Sequence, residues 1–254
     1  MTIKSVGLFL KKHWFLVMSV FLVAGAFVIG SNYGAIENQL IAHKASAVNK
    51  NKKVQSASDV KRNVANGNAS KPEYYAKDPT ASATPSDIMN QLKKPNNESL
   101  RGYVSVPSYG IKQPVYEGVS SHVLALGVGL FEPNATFGKG YVSLFGHNMD
   151  DFNTPYPTKF SAMQNMRADK VVGQEIVVTT GDKTYRYKIT DFRRGVPVSA
   201  LDKEVSYNEN NVPAKPTIQL VACDEDAQFQ QQLRDSNYTD FTAKNRLVLT
   251  GVLE

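Results

Sequence analysis

Cysteine is almost absent: Cys223 is the only one in 254 residues. A single thiol cannot close an internal disulfide, so it is either an inert buried residue or a thiol kept for chemistry. Histidine is scarce too, with four copies at positions 13, 43, 122 and 147, and no internal repeat is visible. Charge is missing altogether from Trp14 to Gly30, WFLVMSVFLVAGAFVIG. That stretch approaches the roughly 17 to 25 apolar residues of a membrane-spanning helix.

Lys4, Lys11 and Lys12 precede the apolar run, and the near flank after it reads SNYGAIENQ. The lysine bias predicts a cytoplasmic N-terminus (1–13), a membrane anchor (14–30) and everything beyond it outside the cell. A cleaved signal peptide is the rival, since Ala24-Gly25-Ala26 resembles a small-residue cleavage site. The anchor is favoured because apolar residues continue through Phe27, Val28 and Ile29. The net charge of +6 and pI near 9.2 would suit nucleic acid, but an exported domain does not ordinarily meet any. Much of the excess lies after the apolar run, at Lys44, Lys50, Lys52, Lys53, Lys61 and Arg62. It reads as a solvated tether, with attraction to anionic lipid or wall polymer as the alternative.

Organisation then divides near residue 98. AIENQLIAH (35–43) has a weak helical period, and 44–97 is rich in Lys, Asn, Ser, Ala and Pro with few large apolar residues. Such a composition predicts an extracellular stalk and flexible linker over 31–97, with one helical turn at SDIMNQL after Pro85. From Leu100 onward, RGYVSVPSYG, KQPVYEG, GKGYVSLFGH, EIVVTTGDKTYRYKITDF, TIQLVAC and NRLVLTGVL read as short strands. Gly181-Asp182 suits a hairpin turn, and FSAMQNMRA from Phe160 is the best helix. Many short strands with few helices predict a mainly β domain over 98–254, a closed barrel or a sandwich.

A cysteine nucleophile needs a base or cation to hold it as thiolate and a donor to stabilise the oxyanion formed on acyl attack. His13 borders the apolar run and His43 lies in the stalk, which leaves His122 and His147. His147 ends an apolar strand in SLFGHNMDD, much as Cys223 ends its own. His122, in SSHVLAL, reads as a surface or capping residue. Arg246 opens the last strand, and a guanidinium offers fixed donors without giving up its proton. On residues alone, Cys223 as a buried apolar residue, His147 as a turn histidine and Arg246 as a surface ion pair stay open.

The order of these features resembles the class A, housekeeping type of sortase found in Gram-positive bacteria: anchor, linker, GYVSVPSYGIKQPVYEG, GHN, QLVAC, NRLVLTGVL. The resemblance implies a closed eight-stranded barrel carrying His147, Cys223 and Arg246 in a groove that takes an LPxTG sorting signal. Cys223 would attack the Thr carbonyl. His147 would shuttle protons, Arg246 would hold the signal and the oxyanion, and an amine of lipid II or the peptidoglycan cross-bridge would resolve the thioacyl-enzyme. Val198, Ala200, Leu201, Val221 and Ala222 match positions that bind the signal. Three departures stand out. The family's TLxTC is replaced by Gln219-Leu220-Val221-Ala222-Cys223, so both threonine hydroxyls are missing. The loop 224–245 is long and polar. GLFEPNATFGKG offers only Glu132 to a cation, so no calcium, other metal or cofactor is expected.

Other readings stand beside this one. In a pilin-polymerising relative the acceptor would be a lysine of another protein. Against it, 71–97 holds no Asp-Pro-aromatic plug and the chain ends at Glu254 without a second apolar helix. A non-catalytic wall-binding β-domain would leave Cys223 buried and unreactive. Hydrolysis would follow when no amine is present.

Overall fold

The computed structural model describes residues 33–74, 83–133, 135–149, 160–201, 214–237 and 242–254. Eight strands close into one mixed barrel: β1 (Leu100–Val106), β2 (Ile111–Glu117), β3 (Val128–Leu130), β4 (Tyr141–Phe145), β5 (Glu175–Thr180), β6 (Lys183–Pro197), β7 (Thr217–Cys223) and β8 (Asn245–Leu253). Around the barrel they run β1-β2-β3-β4-β7-β8-β6-β5, and β5 returns to β1. The pairs β2–β3 and β4–β7 are parallel. Among the described residues each strand is paired on both sides, so closure leaves little free edge to template aggregation.

Strand alternation decides what fills the barrel. Leu144, Leu220, Ala222 and Leu249 join the interior cluster, while Phe145, Val221 and Val248 face outward and meet Val196 and Leu201. Strand β7 is buried at every position, which is why TIQLVAC is an almost unbroken apolar run rather than an alternating one. Six strand stretches expected from the sequence contain β1, β2, β4, β5, β6, β7 and β8. Strand β3, three residues inside ALGVGL, is too short to show a period. β6 runs on past Phe192 to Pro197, across an irregularity between Arg193 and Val196.

The largest correction concerns 31–97, expected as a stalk and flexible linker. It carries α1 (Tyr33–Asn49), α2 (Ala57–Ala65) and α3 (Pro85–Gln91), and apolar residues of α1 and α3 pack against the barrel. Ile41 and Ala45 of α1, with Ile88 of α3 and Leu92 just after it, form a buried cluster against Leu100, Tyr116 and Leu126. Fully burying an aliphatic side chain is worth about 1.5 to 3 kcal/mol, so a few well-spaced residues offset the ordering entropy that average composition suggests they cannot. Local chemistry helps. Ser56 with Asp59, and Thr84 with Asp87, form reciprocal capping boxes that start α2 and α3. Backbone bonds then stitch the segment down: Gln55 N–H donates to Leu100 O and Val119 N–H to Glu73 O, each at 2.8 Å.

Beneath this segment lies a buried ion pair. Arg101 of β1 donates to the Glu117 carboxylate of β2, Tyr74 O–H donates to its other oxygen, and Arg101 Nη2 reaches Ala135 O at 3.0 Å. Burial, then the hydrogen bond to Glu117, push the Tyr74 hydroxyl far above its ordinary pKa, so it remains a donor.

No helix among the described residues is long and apolar enough to cross a membrane. The apolar stretch 14–30 lies outside the described residues.

Candidate active site

Three strand ends converge on the outer face of the barrel. Strand β7 ends at Cys223, and the antiparallel β7–β8 pairing sets Cys223 opposite Arg246. Strand β4 runs parallel to β7 with Phe145 opposite Val221, and Gly146 N–H donates to Val221 O at 3.0 Å. Two residues further along each strand, His147 comes level with Cys223. The next residue ties the two ends together, since Asn148 Nδ2 donates to Cys223 O at 3.0 Å. By alternation, Cys223 and His147 share the outer face of Val221 and Phe145, and Arg246 that of Val248.

All three are nearly enclosed: Cys223 and His147 are 6% exposed and Arg246 is 2% exposed. Arg246 Nη1 donates to Ala243 O and Asn245 O, both at 2.8 Å, which fixes a charged donor at the mouth of the β7–β8 loop. A permanent cation beside a thiol acts toward the thiolate, and enclosure acts toward the neutral thiol. Their burial strengthens any interaction with charge that develops during a reaction.

Not every residue expected here faces the groove. Val198, Leu201 and Val221 lie in one apolar cluster with Val119, Phe145 and Val248. Ala200, in the 3-10 helix Val198–Ala200, is half-buried outside that cluster. Ala222 turns inward and packs in the barrel interior, because its parity is opposite to that of Cys223. His122 is also corrected. It is buried in α4 (Ser121–Leu126) rather than on the surface, and burial lowers its pKa, so it is neutral at neutral pH.

The loop 224–245 contains an element the sequence reading passed over. Helix α5 (Ala227–Asp235), capped by Asp226 accepting from Phe229 N–H at 2.9 Å, packs Phe229 and Leu233 on Cys223. The spacing of Phe229 and Leu233, one helical turn apart behind an aspartate, was the available signal. Asn148, Gln164, Arg194 and Asp224 also surround the site, and only their spatial meeting reveals them.

Glu132, the lone acidic residue of GLFEPNATFGKG, caps the edge of β4 where β3 has ended, its Oε2 accepting from Ser143 N–H at 2.7 Å. No group of three or more His, Cys, Asp or Glu side chains suited to a metal exists among the described residues. Burial pushes the Glu132 carboxyl from 4.5 up to about 7, against the hydrogen bonds from Ser143 that favour its charged form. Between pH 4.5 and about 7 the folded protein therefore holds a proton that the unfolded chain has released. The stability this group contributes is full below that window and lost as the pH rises through it, by on the order of 3 kcal/mol. Glu132→Gln should match the parent near pH 4 and exceed it by roughly 2 to 3 kcal/mol at pH 8 in urea unfolding; a pH-independent difference would refute the assignment.

With the geometry established, kinship can be read on it. A sortase domain model matches residues 104–239. The chain belongs to the sortase family. This sortase chain is 28% identical over 156 residues to Sortase A of Staphylococcus aureus, which takes in 60% of the chain and 66% of that relative, just under two thirds of its length. In fold it is similar to Listeria monocytogenes sortase A, with TM-score 0.45, 20% identity, and coverage of 61% of this chain and 87% of that one. It is similar also to the Group B Streptococcus Pilus Island 1 sortase C2, with TM-score 0.47, 21% identity, and coverage of 77% and 97%.

Proposed function

We propose that the chain is a membrane-anchored cysteine transpeptidase of the housekeeping type, which cuts an LPxTG-type signal between Thr and Gly and passes the protein to a wall-precursor amine. The observation that carries this reading is the meeting of the only cysteine with His147 and Arg246 at three adjoining strand ends. The apolar cluster of Phe145, Val198, Leu201, Val221 and Val248 beside them suits the Leu and Pro side chains of such a signal, whose burial supplies affinity that backbone contacts orient.

The steps follow from the residues. The Cys223 thiolate attacks the Thr carbonyl carbon, a C–S bond forms, and the oxygen that becomes negative is met by the Arg246 guanidinium. The C–N bond to Gly breaks as the His147 imidazolium gives its proton to the departing amine. In the second half His147 takes a proton from the incoming amine, a new C–N bond forms, and the C–S bond breaks to return the thiolate. Water in place of the amine gives hydrolysis through the same thioester. The charge-free stretch 14–30 would hold the enzyme in the membrane with its N-terminus in the cytoplasm.

The test is intact-mass spectrometry of the full-length chain in detergent, mixed with a peptide containing Leu-Pro-Gln-Thr-Gly. A mass gain equal to the peptide cut after Thr, absent in Cys223→Ala, is expected. Cleavage that survives in Cys223→Ala sinks the nucleophile assignment. A thioester resolved only by a pilin lysine and never by a wall-precursor amine overturns the housekeeping reading.

A further inference from the structure

We propose that Asp224 is a positioning residue, the keystone of a polar ring that locks the strand end bearing Cys223 to the strand end bearing His147 and to the end of β6 that leads into the 3-10 helix Val198–Ala200. This rests on Cys223 being the nucleophile. The ring begins at the irregularity in β6, where the β6–β8 register slips between Arg193 and Val196. There Gly195 adopts a left-handed φ of 67°, open to glycine at little cost. Its N–H, turned out of the ladder, donates to Asp224 Oδ2 at 2.9 Å, and Arg194 Nη2 donates to Asp224 Oδ1 at 2.9 Å.

Gln164, from the 3-10 helix Ser161–Asn165, closes the ring. Its backbone carbonyl accepts from Arg194 Nη1 at 2.7 Å, and its Nε2 donates to Asp224 Oδ1 at 3.4 Å. Its side-chain oxygen accepts from Asn148 Nδ2 at 2.8 Å and from Glu225 N–H at 3.2 Å. Asn148 completes the circuit through its bond to Cys223 O. Residues 148 and 224 adjoin His147 and Cys223 in sequence, so the ring sets the two reacting side chains relative to each other. Residues 194 and 195 lead directly to Val196, Val198 and Leu201, so the same ring sets the groove wall.

A simple turn would not require a buried carboxylate. Asp224 is 3% exposed, and a buried charge is costly unless paired and hydrogen-bonded. The pairing with Arg194 also cancels, at the thiol, the field that either charge would exert alone. The charged or titratable groups that strand register and sequence set beside Cys223 are His147, Arg246, Glu225 and Asp226, while Asp224 is paired with Arg194.

The test uses the full-length chain in detergent and two readouts, the pH profile of Cys223 alkylation by iodoacetamide and steady-state cleavage of a fluorogenic Leu-Pro-Gln-Thr-Gly peptide. Asp224→Asn, which still accepts from Gly195, should move the alkylation profile to lower pH by on the order of half a pH unit, and Arg194→Met should move it higher by as much. The double variant should restore the profile but not the rate, with kcat about tenfold down and KM within threefold in every case. Unchanged profiles and kcat in both single variants, or shifts in the same direction, overturn the ring. Cleavage by Cys223→Ala would instead overturn the nucleophile assignment, and where no peptide is cut the alkylation profiles alone decide.

Discussion

Glu117→Gln should destabilise the fold by about 3 to 5 kcal/mol, one of the two largest effects expected of any single substitution here. The pair that Glu117 makes with Arg101 lies at 3% and 4% side-chain exposure. Removing one charge leaves the other enclosed without compensation, and Arg101 cannot shed its proton. The loss should appear as a lower urea midpoint with the slope unchanged. Replacing the whole network, Tyr74→Phe with Arg101→Met and Glu117→Leu, should recover most of it, because apolar groups of similar volume need no pairing. A single variant within about 1 kcal/mol of the parent would show that the pair is better hydrated than its burial implies.

Arg246→Lys carries the second large effect, on catalysis. Lysine keeps the charge but replaces a planar fork of donors by a flexible point charge. The guanidinium is held through Nη1 by two backbone carbonyls, which fixes its planar fork opposite Cys223 across the β7–β8 ladder. Loss of one preorganised oxyanion donor costs about 10² to 10³ in kcat. Single-turnover acylation should fall by that factor while the alkylation rate of Cys223 changes by less than about threefold. A lysine variant acylating at the parent rate would remove Arg246 from the reaction and leave it a structural clamp on the β7–β8 loop.

The β-domain was legible in the sequence because most of its strands carry apolar alternation or dense β-branched residues, and because Cys223, His147 and Arg246 each stand at a strand end. Where legibility failed, the cause was physical. Strand β3 is shorter than its own period. The groove assignment of Ala222 ignored that adjacent strand residues face opposite ways. Average composition predicts a linker before the barrel apart from the helical turn after Pro85, although Ser56-x-x-Asp59 marks a further helix start and Ile41, Ile88 and Leu92 suffice to anchor the segment. Gln164, Arg194 and Asp224 had no signature at all, since their common purpose exists only after β6, β7 and a 3-10 helix have been brought together.

The packed segment before the barrel sets how far the enzyme can reach. As a flexible coil, the stretch 31–97 would let the domain roam about 45 Å from its attachment point. Docked from Ile41 onward, it contributes almost nothing to that radius. With the anchor proposed at 14–30, only some ten residues separate the membrane from a chain already fixed to the barrel, and much of that interval belongs to α1. On the proposed anchoring, the groove would work close to the bilayer surface, and a substrate would have to be delivered there rather than caught by an enzyme fishing on a long line.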